Sequence, residues 1–218
     1  MERIRVINYG GSNLRSVVKA IESVAAKHQD VKVSHEPKEI AAADRVVFPG
    51  QGAIGDCVSC LAAEDLIGVI KEAAASKPFL GICLGLQSLL EHSEEDGGTA
   101  CLGLIQGSVK RFPMSPPPAP DGTPQKVPHM GWNTVQWAKP HPLTAGIPDG
   151  SRFYFVHSYY VEPADQSVIA ARTHYITDFV SAVSFNQVFA TQFHPEKSAE
   201  NGLRLLRNFV NWDGSTEI

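Results

Sequence analysis

The chain reads as an α/β fold spanning residues 1–218 as one domain: a mostly parallel central sheet flanked by helices, with extra antiparallel strands in the second half. Two observations predict it. Short apolar runs alternate with helical patterns through the first half, which is the rhythm of βα units. The second half then carries strand-like runs in quick succession and a single closing helix. At 218 residues, 43% hydrophobic and 19% charged, the chain has the size and composition to bury a substantial core.

The elements follow in order. Arg3-Ile4-Arg5-Val6-Ile7-Asn8 forms a first strand. After Gly10-Gly11-Ser12-Asn13, the apolar residues Leu14, Val17, Val18, Ile21 and Val24 recur at helical spacing, with Ser12 or Asn13 placed to cap them. Residues 31–33 and 45–48 make two more strands, the second ending at Pro49-Gly50. Residues 55–66 have small and apolar faces and read as a helix. Pro78-Phe79-Leu80-Gly81-Ile82 is a buried strand, followed at once by Cys83 and a helix carrying Leu86, Leu89 and Leu90. Strands are expected at 153–156, 168–173, 180–185 and 188–192. A last helix starts near Ser198, with Leu203, Leu206, Phe209 and Val210 as its apolar stripe. Between the halves, residues 113–128 hold seven of the 15 prolines, which excludes a helix or central strand and predicts an extended surface loop.

Composition removes several classes of function. The formal net charge is −4 and no Lys/Arg run occurs, so general nucleic-acid binding has no electrostatic support. No apolar stretch approaches the roughly 20 residues that span a bilayer. The chain opens directly on a strand-like run with no signal-peptide pattern, so a cytoplasmic location is the expectation. Four cysteines are too few for a disulfide scaffold, and Cys57 and Cys60 form a lone C-x-x-C inside a helix, where packing is the expected role and no metal is expected.

Three short motifs carry chemistry. Gly81-Ile82-Cys83-Leu84-Gly85 places a thiol between two glycines where an apolar strand meets a helix, the form of a nucleophile elbow. Such a turn strains the nucleophile's backbone and leaves no room for a Cβ at either flank. The helix N-terminus sets partial positive charge beside the sulfur, and the Leu84 N–H is placed to donate to an oxyanion. Phe193-His194-Pro195-Glu196 supplies a base and a carboxylate two residues apart, on the same side of an extended chain. Glu196 then holds one imidazole nitrogen while the other faces the thiol. Pro49-Gly50-Gln51-Gly52 follows a strand, and loops at the carboxyl ends of parallel strands share one crevice. That turn is the candidate for the second oxyanion N–H.

Together Gly-Ile-Cys83-Leu-Gly-Leu-Gln87, Phe-His194-Pro-Glu196-Lys197-Ser198 and Pro-Gly50-Gln-Gly52 resemble the class I glutamine amidotransferases. Asn8-Tyr-Gly-Gly-Ser-Asn13, Val127-Pro-His-Met-Gly-Trp-Asn133 and Tyr154-Phe-Val-His-Ser-Tyr159 narrow the resemblance to the glutaminase subunits of imidazole glycerol phosphate synthase, an enzyme of histidine biosynthesis. The resemblance implies a Cys83-His194-Glu196 triad that hydrolyses glutamine through a thioester, with oxyanion donors from the backbone of Gln51 and Leu84. It implies that Gly50, Gly52, Gln87, Ser158 and Tyr159 hold the substrate, and that neither cofactor nor metal is needed. It also implies a partner, a (β/α)₈-barrel cyclase subunit that receives the ammonia. The family more often carries an apolar residue where this chain has Gln51, and the proline-rich loop is longer than the family pattern requires. His129, His157 and Trp132 sit inside family strings, where interface or packing roles fit, and the other histidines outside the triad read as surface or structural. Three other readings share these residues: a glutaminase serving a different synthase, a solitary cysteine hydrolase, and a binding protein that has lost catalysis.

Overall fold

A computed structural model describes residues 1–10, 14–118 and 122–215. Its first half lays down β1 (Glu2–Ile7), β2 (Gln29–Ser34), β3 (Arg45–Gly50) and β4 (Phe79–Cys83), all parallel, in the spatial order β2-β1-β3-β4. Between them run α1 (Leu14–Glu22), α2 (Pro37–Ala41), α3 (Ile54–Ala63) and α4 (Leu66–Ser76). The βα rhythm is as predicted; the helix expected over 55–66 ends at Ala63, and α2 and α4 were not expected. Ser12 and Asn13, the expected caps of α1, lie outside the described residues.

Side chains on these strands alternate between two cores, because successive residues of a strand point to opposite faces. Val46, Phe48 and Phe79 pack with α3 and α4 on one face. Ile4, Val6, Val47, Leu80 and Ile82 pack on the other with α1 and the C-terminal helix. A sheet covered on both sides explains why its central strands β3 and β4 read as nearly unbroken apolar runs.

The helix expected after Cys83 is one turn long, α5 (Leu84–Gln87), and Leu90 opens a strand instead. Backbone hydrogen bonds decide this. The N–H groups of Leu102, Gly103 and Leu104 take the carbonyls of Ser88, Leu90 and Leu89, so the segment joins a sheet rather than a longer helix. The strands here are β5 (Leu90–Ser93), β6 (Thr99–Ala100) and β7 (Ile105–Arg111). The described part of residues 113–128 has neither helix nor strand, as its prolines require.

The second half adds β8 (His129–Thr134), β9 (Gln136–Trp137), β10 (Arg152–His157), β11 (Tyr159–Pro163), β12 (Ile169–His174), β13 (Asp178–Phe185) and β14 (Val188–Thr191). β14 runs parallel to β4, and β13, β11 and β7 continue the sheet by antiparallel pairing. β8 and β10 form a separate two-stranded sheet. The closing helix α6 (Ala199–Asn211) buries Leu205, Leu206, Phe209 and Val210 completely, while Leu203 is only half-buried. Each such burial contributes about 1.5–3 kcal/mol. Among the described residues no helix is long and apolar enough to cross a membrane.

Candidate active site

The carboxyl ends of β3, β4 and β14 meet under one crevice, and the three sequence motifs stand there together. Cys83 closes β4 with φ 55 and ψ −107, a conformation that L-residues avoid and that only a firmly held turn maintains. The flanking glycines are needed for a steric reason. A Cβ on Gly85 would lie 1.8 Å from the Phe48 carbonyl oxygen, and one on Gly81 would lie 2.8 Å from the Ala190 Cβ. β3, α5 and β14 therefore close on the thiol from both sides.

His194 follows β14 and is held by its own backbone. Its N–H donates to the Tyr154 carbonyl at 2.9 Å, and the Ser198 hydroxyl donates back to the His194 carbonyl at 2.6 Å. The imidazole Nδ1 pairs with Glu196 Oε1 at 2.8 Å, and both side chains are buried. Nε2 is buried and has no hydrogen-bond partner among the described residues. Burial opposes a charge on His194, but the facing Cys83 sulfur and the Glu196 carboxylate outweigh it and raise its pKa well above the ordinary histidine value. The imidazole thus holds a proton at neutral pH beside the sulfur.

Cys83 and His194 line the same cavity of about 270 Å³, together with Gln51, Gly52, Leu84, Gln87, Ser158 and Tyr159. Its volume suits one amino acid rather than a larger ligand. Leu84 begins α5, so its N–H has no partner within the helix, and the residue lines the cavity. The Tyr9 hydroxyl lies buried beneath the neighbouring Gly50, with no hydrogen-bond partner among the described residues. Gly50 departs from expectation. It is buried under the turn, where a Cβ would meet the Tyr9 hydroxyl at 2.6 Å and the Leu84 Cβ at 2.8 Å, and it borders a small gap beside Glu196 rather than the cavity.

Several lining groups escaped the sequence reading. Glu95 enters the cavity wall from the connection after β5, and its carboxylate also accepts from the Ile54 N–H at 2.9 Å, at the start of α3. Burial raises its pKa above the ordinary carboxylate value. In sequence it sits in the acidic run Glu94-Glu95-Asp96, which looks like a solvated surface. His157 also lines the cavity and pairs its Nε2 with His129 Nδ1 at 2.9 Å. Burial first, and His129 second, push the His157 pKa down to about 3, while burial alone takes His129 to about 4. Gln192 was missed although it stands two residues before His194, the same-side spacing that linked His194 to Glu196.

The remaining cysteines are structural neighbours. Cys57 is buried with its sulfur 3.7 Å from the Ser88 hydroxyl, and all four cysteines are free. Among the described residues no group of three or more His, Cys, Asp or Glu side chains is placed to hold a metal ion.

Comparison with known proteins gives the family. The family profile "Glutamine amidotransferase class-I" matches residues 5–212. The imidazole glycerol phosphate synthase subunit HisH of Aromatoleum aromaticum is 56% identical over 212 residues, covering 97% of this chain and 99% of that protein. The same subunit from Methylococcus capsulatus is also 56% identical and covers 98% of each chain. Among solved structures, PurLQS from Thermotoga maritima superposes with a TM-score of 0.71 at 19% identity, over 96% of this chain and 98% of the matched one. A structure described as a glutamine amidotransferase gives 0.71 at 15% identity, over 95% and 97%. With its whole length shared at such identity, the chain belongs to the class I glutamine amidotransferases and, within them, to the HisH subunits of imidazole glycerol phosphate synthase.

Proposed function

We propose that this chain hydrolyses glutamine to glutamate and ammonia at Cys83 and passes the ammonia to a (β/α)₈-barrel cyclase subunit, which makes imidazole glycerol phosphate. One observation carries the reading: a strained thiol at a strand-to-helix junction shares a single-amino-acid cavity with a buried, carboxylate-held imidazole.

The Cys83 sulfur attacks the carboxamide carbon of glutamine, and the carbonyl oxygen becomes an oxyanion. The Leu84 and Gln51 N–H groups, both on the cavity wall, receive that charge. The C–N bond breaks as His194 Nε2 gives its proton to the departing nitrogen, so ammonia leaves and a thioester remains. Water then attacks the thioester carbon while His194 takes one of its protons. The sulfur departs as the leaving group and glutamate is freed. Glu196 keeps the imidazole oriented and favours its charged form throughout. At the far end of the substrate, the Glu95 carboxylate faces the α-ammonium, and Gly52, Gln87, Ser158 and Tyr159 complete the wall.

The test uses the chain together with its cyclase subunit. Cys83→Ala abolishes glutamine-dependent turnover and leaves turnover on added ammonium salts unchanged. Undiminished glutamine use by that variant refutes the reading.

A further inference from the structure

Gln192 belongs to none of the three motifs, yet it is completely buried and its side-chain Nε2 donates to the Cys83 sulfur at 3.6 Å. Its neighbours dictate which way the amide points. The Tyr159 carbonyl only accepts, so Gln87 turns its Nε2 toward it at 3.0 Å. The second N–H of that nitrogen goes to Gln192 Oε1 at 3.1 Å. With its oxygen occupied, Gln192 has only N–H groups left to present to the sulfur.

The support behind Gln87 is itself directional. His157 Nδ1 donates to the Tyr159 carbonyl at 2.8 Å, which leaves His157 Nε2 to accept from His129 Nδ1 at 2.9 Å. Asn133 Nδ2 lies 3.3 Å from His129 Nε2 and supplies the remaining donor. Among the described residues, the Gln192 side chain bonds only to Gln87 and Cys83. Packing alone is better served by an apolar side chain, because a buried amide costs stability unless it is hydrogen-bonded. Gln192 itself has no exposure to solvent, so its amide meets the sulfur from the dry side of the cavity wall.

We propose that Gln192 is a further catalytic residue of this site: its N–H, aimed by Gln87, holds the Cys83 sulfur and stabilises its negative charge as it attacks and departs. The inference rests on the glutaminase reading above.

The decisive variant is Gln192→Met in the full chain, which keeps the volume and removes the donor. Alkylation of Cys83 by iodoacetamide, followed across pH on the Cys83-containing peptide by mass spectrometry, reports the thiolate directly. The midpoint rises by about one pH unit, as expected for loss of a hydrogen bond to a charged group. With the cyclase subunit present, kcat for glutamine falls about tenfold while KM stays within about twofold. An unmoved midpoint in a folded variant overturns the proposal, even where turnover falls. Should Gln192→Met not fold, Gln87→Met takes its place, because it frees the Gln192 oxygen and lets the amide turn. Its midpoint rises by about half a pH unit, and no rise is equally fatal. Alkylation requires no glutamine hydrolysis, so a wild-type complex inactive on glutamine would contradict the glutaminase reading without deciding this one.

Discussion

At Cys83 the backbone is held where an L-residue is disfavoured, and this strain separates stability from activity at one position. Cys83→Ala keeps the strained Cβ and Cys83→Gly removes it, so the glycine variant unfolds at higher urea by about 1 kcal/mol, the reverse of the usual order. Equal midpoints for the two variants would show that the turn carries no strain. The buried histidines set a second expectation. Burial lowers His129 and His141 to about 4 and His157, with its neighbour His129 adding, to about 3, and Lys139 adds to the effect at His141. These folded values lie below the ordinary 6.5. The stability they represent is therefore complete above about pH 6.5 and is lost as pH falls toward 4, by on the order of 1 kcal/mol per histidine for each pH unit. His194 is raised, so its stabilisation runs in the opposite sense: it is complete below about pH 6.5 and is lost as pH rises toward 10. Urea unfolding at pH 7.5, 6.0 and 5.0 checks this, and a flat profile between the last two contradicts it. At this scale the sequence was most legible where spacing carries geometry. Cys83 between glycines and His194 two residues from Glu196 announce their roles, whereas Glu95 in an acidic run carries no local sign of the cavity it lines, and Gln192 none of the sulfur it touches.

Between elements, close approach is secured by glycine. α6 passes the His194 turn so tightly that a Cβ on Gly202 would lie 1.9 Å from the Pro195 carbonyl oxygen, and Gly85 does the same for α5 against β3. Gly202→Ala and Gly85→Ala each destabilise the fold by about 3 kcal/mol or more, since backbone rather than a flexible side chain must move. Thermal unfolding of the two variants measures it. Gly68→Ala serves as the control: its new methyl group meets nothing within 4 Å, so the midpoint is nearly unchanged or raised. β3 and β4 were readable because they are buried on both faces and nearly continuous in apolar residues, while β1 and β2 showed only in the short runs Ile-Arg-Val-Ile and Val-Lys-Val. β5, β7 and β11 were not, because Leu-Glu-His-Ser and Ile-Gln-Gly-Ser-Val-Lys-Arg lack both a continuous apolar run and a clean alternation. Only pairing with distant partners makes them strands.

Across the whole molecule, the large apolar side chains exposed among the described residues include Met130 and Trp132, two apart on β8 and therefore on one side of it. An exposed apolar pair of this kind fits a subunit interface, so Trp132→Ala is expected to weaken binding of the partner subunit at least about tenfold while leaving the chain's own unfolding unchanged. Titration calorimetry of the two subunits decides it, and unaltered affinity excludes the patch from the interface. The join between halves has a different consequence. The sheet is bridged at β4 and β14, so the thiol from the first half meets its base only when nearly the last strand has been made. During synthesis, a ribosome must release almost the entire polypeptide before any sulfur has an imidazole beside it. Truncated products of interrupted translation that stop short of Val188 are thereby harmless to the cell's glutamine, however well their early strands assemble.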